Sequence, residues 1–346
     1  MLFLMALICI LVGAVASMRE IVKEADIYRR ERMVTLKIIP YVISKLWLGV
    51  LLAAYQSVVF ILTKRLSAGW PDTRETIVLT FVTLFLATLS GILLGLLISA
   101  VSPNQNVAPL LLIMVLVPQF MFAGALMPLS TFGPAGKFIG YATSTKWGFE
   151  SLVTISKLGK DVAEDPCWQL PKSQRDALIE KDKAKCTCMG SNLFKKCSFP
   201  RLADLYDPAV DTPEPVQPKA LGNLPSQPPT CPAPPASQSA EAQSKYQQEM
   251  QDYQKAMEAY GKDMEAYKES VNKYQNDMDT WRVRYQDWKA KHDRAIAEWE
   301  GLIKKIYEDF GFMFKVNLAT HWGWLGGITV VVFALVLLVQ KRKDVV

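Results

Sequence analysis

The sequence predicts an all-α membrane protein: five transmembrane helices, re-entrant helices, and a large external insertion containing a long coiled-coil helix. Three observations carry this. Half of the 346 residues are hydrophobic and 21% are charged, and the apolar residues are gathered into long runs. Residues 240–312 contain no proline and repeat large side chains at spacings of four and three. The net charge of +6 is uneven: residues 160–320 hold 23 basic and 25 acidic side chains, and the remainder holds 16 and 8. The basic excess therefore belongs to the apolar part, as short cytoplasmic loops require. A nucleic-acid-binding face on the polar region is excluded by its slight acidity. With only His292 and His321 present, a His-rich metal site is excluded too, and no metal ligand set is assigned.

The first apolar run is 1–18, and it holds no acid or base. Ala14-Val15-Ala16 before Ser17 is compatible with signal-peptide cleavage, but the basic residues follow the run instead of preceding it, which favours a true span. Runs at 38–63, 76–101, 107–129 and 322–340 complete the five. Each is about the length that crosses a ~30 Å hydrocarbon core. Backbone polar groups in lipid must be satisfied within the segment, so all five are helices. Placing the basic 19–37 loop and the 341–343 tail inside sets nine cations there against three in the 64–75 loop. The N-terminus and residues 130–320 are then external, the 102–106 turn internal, and the chain a multi-pass protein of the cell membrane.

Glu24, Asp26, Arg29, Arg30, Glu31 and Arg32 give a mixed-charge amphipathic helix directly after the first run. Such a segment is either a solvated interface anchor or a docking element whose charge pairs set register with a cytoplasmic partner. Residues 130–158 are amphipathic, with Tyr141, Trp147 and Phe149 suited to the membrane interface.

Cys167, Cys186, Cys188, Cys197 and Cys231 lie in the external loop. Their spacing fits no zinc pattern, and the oxidising compartment favours disulfides. Five is odd, so one thiol is left over or pairs between chains; the pairing stays open. Eleven prolines lie between Pro200 and Pro235, and 208–235 reads as an extended polyproline linker without a core. The heptad seam runs from Tyr246 and Met250 through Trp281, Tyr285 and Trp288 to His292, Trp299 and Ile306. A stripe at this spacing is most simply packing core; the sharper alternative is an adaptable surface for an apolar substrate or partner.

Taken in order, the span, E-x-D-x-Y-R-R-E-R (Glu24 to Arg32) and P-Y-x-x-S-K (Pro40 to Lys45) resemble the membrane domain of ABC-2 type transporters, closest to the ABCG (White) subfamily. ISAVSPNQNVAP (Ile98 to Pro109), PQFMFAGALMPL (Pro118 to Leu129), GYATSTKWGFESLV (Gly140 to Val153) and C-x-C-x-G (Cys186 to Gly190) continue the resemblance in order. It implies a permease with a transmembrane domain at 1–158, including an ATPase-coupling helix at about 20–34 and re-entrant helices at 130–158. An external Cys/Pro-rich loop at 159–235, an external heptad helix at 236–312, and a last span with cytoplasmic tail at 313–346 follow.

The resemblance also implies partners and roles. Two permease copies in membrane lipid would couple to an ABC ATPase domain or subunit through Glu24, Asp26, Tyr28, Arg29, Arg30, Glu31 and Arg32. Phe120, Met121, Phe122 and Leu126 would form an apolar translocation valve, and Trp147 and Glu150 would belong to the re-entrant helices. ATP and Mg would be held by the partner, since no G-x-x-x-x-G-K-[ST] occurs in this chain. The ATP-binding domain and one further helix are expected ahead of residue 1. The substrate class implied is lipid-like or amphipathic. The alternative is a non-transporting membrane tether or adhesion protein with an external coiled coil.

Overall fold

The computed structural model describes residues 1–34, 36–199, 213–222, 227–234 and 240–343. Every regular element among them is helical. The chain forms two compact units, one of residues 1–203 with 300–346 and one of residues 204–299.

In the first unit, α1 (Leu2–Ser17) is followed by a 3-10 turn at Val22–Glu24 and by α2 (Ala25–Val34). Next come α3 (Ile38–Ala68) and α4 (Arg74–Val101). Gly69, left-handed at φ 67°, ends α3, and the Thr73 side chain caps α4 by accepting from Thr76 N. The α1–α4 contact is made close by glycine. A Cβ at Gly91 would lie 2.3 Å from the Ile10 carbonyl oxygen, and one at Gly95 2.4 Å from that of Ala14. The G-x-x-x-G spacing of these two puts both on one helix face. Ser17 Oγ donates across the same contact to Ile92 O at 2.7 Å. Ala14 and Ser17 are therefore buried in packing.

Among the described residues, four stretches are long and apolar enough to cross a membrane: Leu2–Val34, Ile38–Ala68, Arg74–Val101 and Leu318–Lys343. The 107–129 run differs from the expectation of a full-length span. Its helix, α5 (Ala108–Met121), has 14 residues and holds Pro118 near its end, so it is ~21 Å long at 1.5 Å per residue. Gly124, at φ 76°, lies in the turn beyond it. α5 nevertheless runs antiparallel to α1 along that helix's length. Ala108 and Leu112 cluster with Ala14, and the Phe120 ring meets Phe3 at 5.7 Å.

Two shorter helices follow, α6 (Gly133–Ala142) and α7 (Ser144–Ile155). They occupy the stretch expected to be re-entrant, and α7 is buried along nearly its whole length. Ser144 Oγ bonds Ser90 Oγ at 2.6 Å, and Gln119 Oε1 accepts from both Thr145 N and Thr145 Oγ1.

Five short turns come next: α8 (Lys160–Glu164), α9 (Pro166–Gln169), α10 (Lys172–Asp176), α11 (Glu180–Lys183) and α12 (Leu193–Lys196). Disulfides Cys167–Cys186 and Cys188–Cys197 tie them together, leaving Cys231 exposed as the odd thiol and Cys9 buried. The Asp165 carboxylate accepts from Cys167 N, Thr187 N and Cys188 N, so one side chain orients both bridges. The knot grips the end of α13 (Ala240–Phe310). Glu300 accepts from Lys183 and Gly190 N, and Glu308 pairs with Lys172 and Arg175. The Arg175 guanidinium also stacks over Trp168 and Tyr307. The last helix, α14 (Leu318–Lys343), packs against α3, α4 and α7.

In the second unit the seam of α13 is half-buried at Tyr246, Met250, Tyr253, Tyr260, Met264 and Tyr267, and onward through Trp281, Tyr285, Trp288 and His292. Trp281 Nε1 donates to Pro215 O at 2.9 Å. Residues 213–222 and 227–234 have neither helix nor strand, yet Pro215, Pro218 and Leu221, then Pro229 and Pro232, are the half-buried ones. A period of three is that of a polyproline II helix. The expected linker thus has a face of its own. Pro200, Pro208, Pro225 and Pro235 lie outside the described residues.

Candidate translocation and coupling site

The charged segment after α1 is bolted to the helices beneath it. Ile21 N and Val22 N both donate to Ser99 Oγ at 2.9 Å, which joins the segment to α4. Glu24 accepts from Lys45 Nζ at 2.7 Å and from the Tyr41 hydroxyl, and the Tyr28 ring packs on Tyr41 with centroids 4.8 Å apart, which joins it to α3. The seven residues expected to act together at an ATPase therefore divide. Glu24 and Tyr28 hold the elbow down. Asp26, Arg29, Arg30 and Glu31 are exposed, and Arg32 donates to Leu36 O. The polar face predicted for docking is thus presented on a base that is fixed to two helices.

The four expected valve residues do not share one face. Phe120 and Met121 line an apolar groove of about 280 Å³ with Leu7 and Leu11 of α1 and Ile113, Leu116 and Val117 of α5. Phe122 turns away and meets the Phe132 ring at 5.1 Å. Leu126 lies in the following turn and is exposed. Leu110, Ile113, Met114, Val117, Phe120 and Met121 form an exposed apolar stripe along α5. Hydrocarbon or another apolar helix face is the environment in which such a stripe is stable.

Beyond the end of α5 lies a polar centre that sequence spacing does not disclose. Glu150 is 2% exposed. Its Oε2 meets His321 Nε2 at 2.8 Å, across 171 residues, and its Oε1 has no hydrogen-bond partner. His321 Nδ1 faces Asn317 O at 3.1 Å. Both ring nitrogens therefore face oxygens. Lys146 Nζ stands 4.2 Å over the Tyr141 ring and 4.3 Å over Trp147. Burial pushes this ammonium below the usual lysine range, while Glu150 pulls the other way. Trp147 also stacks flat on Trp324, with centroids 5.2 Å apart. Tyr141, Lys146, Trp147, Glu150 and His321 border a cavity of about 580 Å³, lined further by Lys137, Glu308, Asp309 and Phe312. The re-entrant candidates Trp147 and Glu150 are thus brought together, along with His321 and Lys146, which the sequence did not single out. A charged residue four before Glu150 on a short amphipathic helix was the one available signal.

Segments assigned to the same side by their basic residues are neighbours. Lys343 Nζ donates to Ser102 O at 3.2 Å, joining the tail to the 102–106 turn. At the opposite end, Lys64 Nζ meets Met1 Sδ.

Residues 1–156 match the family model described as ABC-2 type transporter. The chain is similar to the ABC transporter ATP-binding/permease protein Rv1747 of Mycobacterium tuberculosis (strain ATCC 25618 / H37Rv), with 28% identity over 158 residues. That alignment covers 44% of this chain and 18% of the relative, so the chain matches less than a fifth of that protein's length. No solved structure matches the chain.

Proposed function

With an ABC-2 type membrane domain at residues 1–156 as the premise, we propose that the chain is a permease subunit that moves a lipid-like or amphipathic substrate across a cell membrane. A separate ATPase component supplies the energy by hydrolysing ATP with Mg. The observation that carries the reading is the elbow. Ser99 bolts its root to α4 and the Glu24–Lys45 pair bolts it to α3, while Asp26, Arg29, Arg30 and Glu31 face outward. A push on that charged face passes to α4, and through the glycine contact to α1, without a flexible joint between.

Two copies facing across the α5 stripe place Phe120 and Met121 at a closed apolar constriction that opens when the elbows move. An amphipathic substrate suits the two cavities: an apolar groove beside Phe120, and beyond it a polar one with Lys146, Glu150 and His321. In this reading residues 130–320 are external, which agrees with their paired cysteines.

The test is charge reversal of Arg29→Glu with Arg30→Glu in the chain reconstituted with its ATPase. Transport and substrate-stimulated ATP hydrolysis are expected to fall at least tenfold while the protein still folds and inserts. Unchanged rates would remove the elbow from the mechanism. If deletion of 204–299 leaves transport intact but abolishes attachment to an external partner, the second unit carries the tethering role.

A further inference from the structure

The polar cavity of about 580 Å³ beside α7 has one wall built of aromatic rings. Trp147 is fixed from two sides: its Nε1 donates to Tyr141 O at 3.0 Å, and its ring stacks on that of Trp324. The Tyr141 ring lies 5.7 Å from Trp147 and 5.9 Å from Trp324. Lys146 Nζ sits over Tyr141 and Trp147 together, 4.2 and 4.3 Å from their centroids. Two ring faces aimed at one ammonium are the arrangement that recognises a cationic ligand. Here the chain's own lysine holds that seat, and a second seat for it stands one helical turn on. Glu150 Oε1 is buried and has no hydrogen-bond partner, and side chains four residues apart share one helix face. A buried carboxylate oxygen without a donor is costly, so a move of Lys146 to Glu150 offsets much of what leaving the rings loses.

We propose that this cavity binds an alkylated ammonium group, the head of a choline-type amphiphile, on Tyr141 and Trp147, and that Lys146 turns to Glu150 Oε1 as the ligand enters. A trimethylammonium carries no N–H, so ring faces suit it fully. A lysine ammonium has three donors, which a carboxylate satisfies better. The two cations therefore sort themselves between the two seats. Asp309 lines the same cavity and favours a cation there, and the exposed Lys137 suits the phosphate of a zwitterionic head. This deepens the permease reading by naming the polar end of its substrate, and it rests on that reading only for transport. Binding is measured without an ATPase. Absence of binding removes the headgroup site and leaves the elbow's role open; lost coupling with binding kept does the reverse.

The experiment titrates the purified full chain in detergent with dioleoylphosphatidylcholine or dioleoylphosphatidylglycerol and reads bound lipid by native mass spectrometry. Wild-type protein is expected to prefer phosphatidylcholine. Tyr141→Ala is expected to weaken phosphatidylcholine binding about fivefold, the loss of one ring from a cation–π contact, and Tyr141→Phe to keep it. Lys146→Ala is expected to tighten phosphatidylcholine binding about fivefold, because the internal competitor for the rings is gone. Lys146→Arg, which keeps a cation for the rings, is expected to gain nothing. Phosphatidylglycerol binding is expected to stay the same in all four variants. Failure of millimolar choline chloride to compete supports a lipid head; complete competition supports the same site serving a soluble ammonium. Equal binding of the two lipids by wild type overturns the proposal. So does an equal loss of both in Tyr141→Ala, or unchanged or weaker phosphatidylcholine binding in Lys146→Ala.

Discussion

The two compact units solve one problem, burying a stripe of a long helix, with opposite chemistry. In the membrane unit, α1 and α4 approach until backbone meets backbone. Gly91 and Gly95 make room, and Ser17 donates to Ile92 O across the gap. In the second unit, the α13 seam is built from Tyr, Met and Trp, and a hydrogen bond from Trp281 Nε1 to Pro215 O joins it to the proline segment. The difference follows from the solvent. In lipid, apolar burial gives no driving force between helices, so close packing and hydrogen bonds must supply it. In water, large rings gain by leaving solvent even against a partner that offers a narrow face. A proline strand is such a partner: it makes no internal hydrogen bonds, so its carbonyls stay available to Trp281 or to water.

The comparison breaks most directly at Gly91. Gly91→Val places a side chain within 2.3 Å of the Ile10 carbonyl oxygen, which the backbone must move to accommodate. A loss of about 3 kcal/mol is expected from overpacking, read as a lower unfolding midpoint in detergent. An equally stable variant would mean that the α1–α4 contact is loose.

A smaller loss is expected at the elbow. Ser99→Ala leaves the Ile21 and Val22 amides without their shared acceptor, at about 2 kcal/mol for buried unsatisfied donors. Protection of these two amides in hydrogen exchange should fall selectively. If global stability falls while their protection is kept, Ser99 is packing and not a bolt.

Much of the membrane unit was legible in the sequence. Charge-free runs mark the spans because a charge there is costly, and the odd cysteine count announced a leftover thiol, which is Cys231. The shortness of α5 was half-legible in Pro118, but its antiparallel path along α1 was not. The Glu150–His321 pair was hidden because its members lie 171 residues apart, and no local period links a 12-residue helix to the start of the last span. Ser99 was hidden for another reason: a serine within an apolar run reads the same whether it bonds its own helix or a neighbour's amides. At the elbow the residue types were right, but sequence does not say which charges turn inward, so Glu24 and Tyr28 were grouped with the docking face. The proline segment did carry its period of three in Pro215, Pro218 and Leu221; composition alone made it read as linker.

Trp281→Phe sharpens the contrast from the other side. It keeps an aromatic ring, though a smaller one, and removes the donor to Pro215 O, so a loss of about 1 kcal/mol is expected, seen as local opening of the second unit. Trp281→Ala should cost more, because the ring's area is lost too.

The smallest effect belongs to the clamp between the cysteine knot and α13. Lys304 donates to Asp176 at 2.7 Å, and that bond holds the Asp176 carboxyl below the usual carboxylate range despite the opposing pull of desolvation. A depressed carboxylate contributes stability that is fully present above its unfolded value and is lost as pH falls through the folded one. The contribution is therefore intact at neutral pH and disappears in acid. Asp176→Asn should lower neutral stability by that small contribution, leave acid stability unchanged, and so flatten the acid limb of the unfolding midpoint against pH. Because the carboxyl is open to solvent, salt should erase even that difference. A variant as destabilised at high salt as at low would place Asp176 in packing rather than in a screened surface pair. The knot's grip on α13 would then depend on that packing as well as on Glu300 and Glu308.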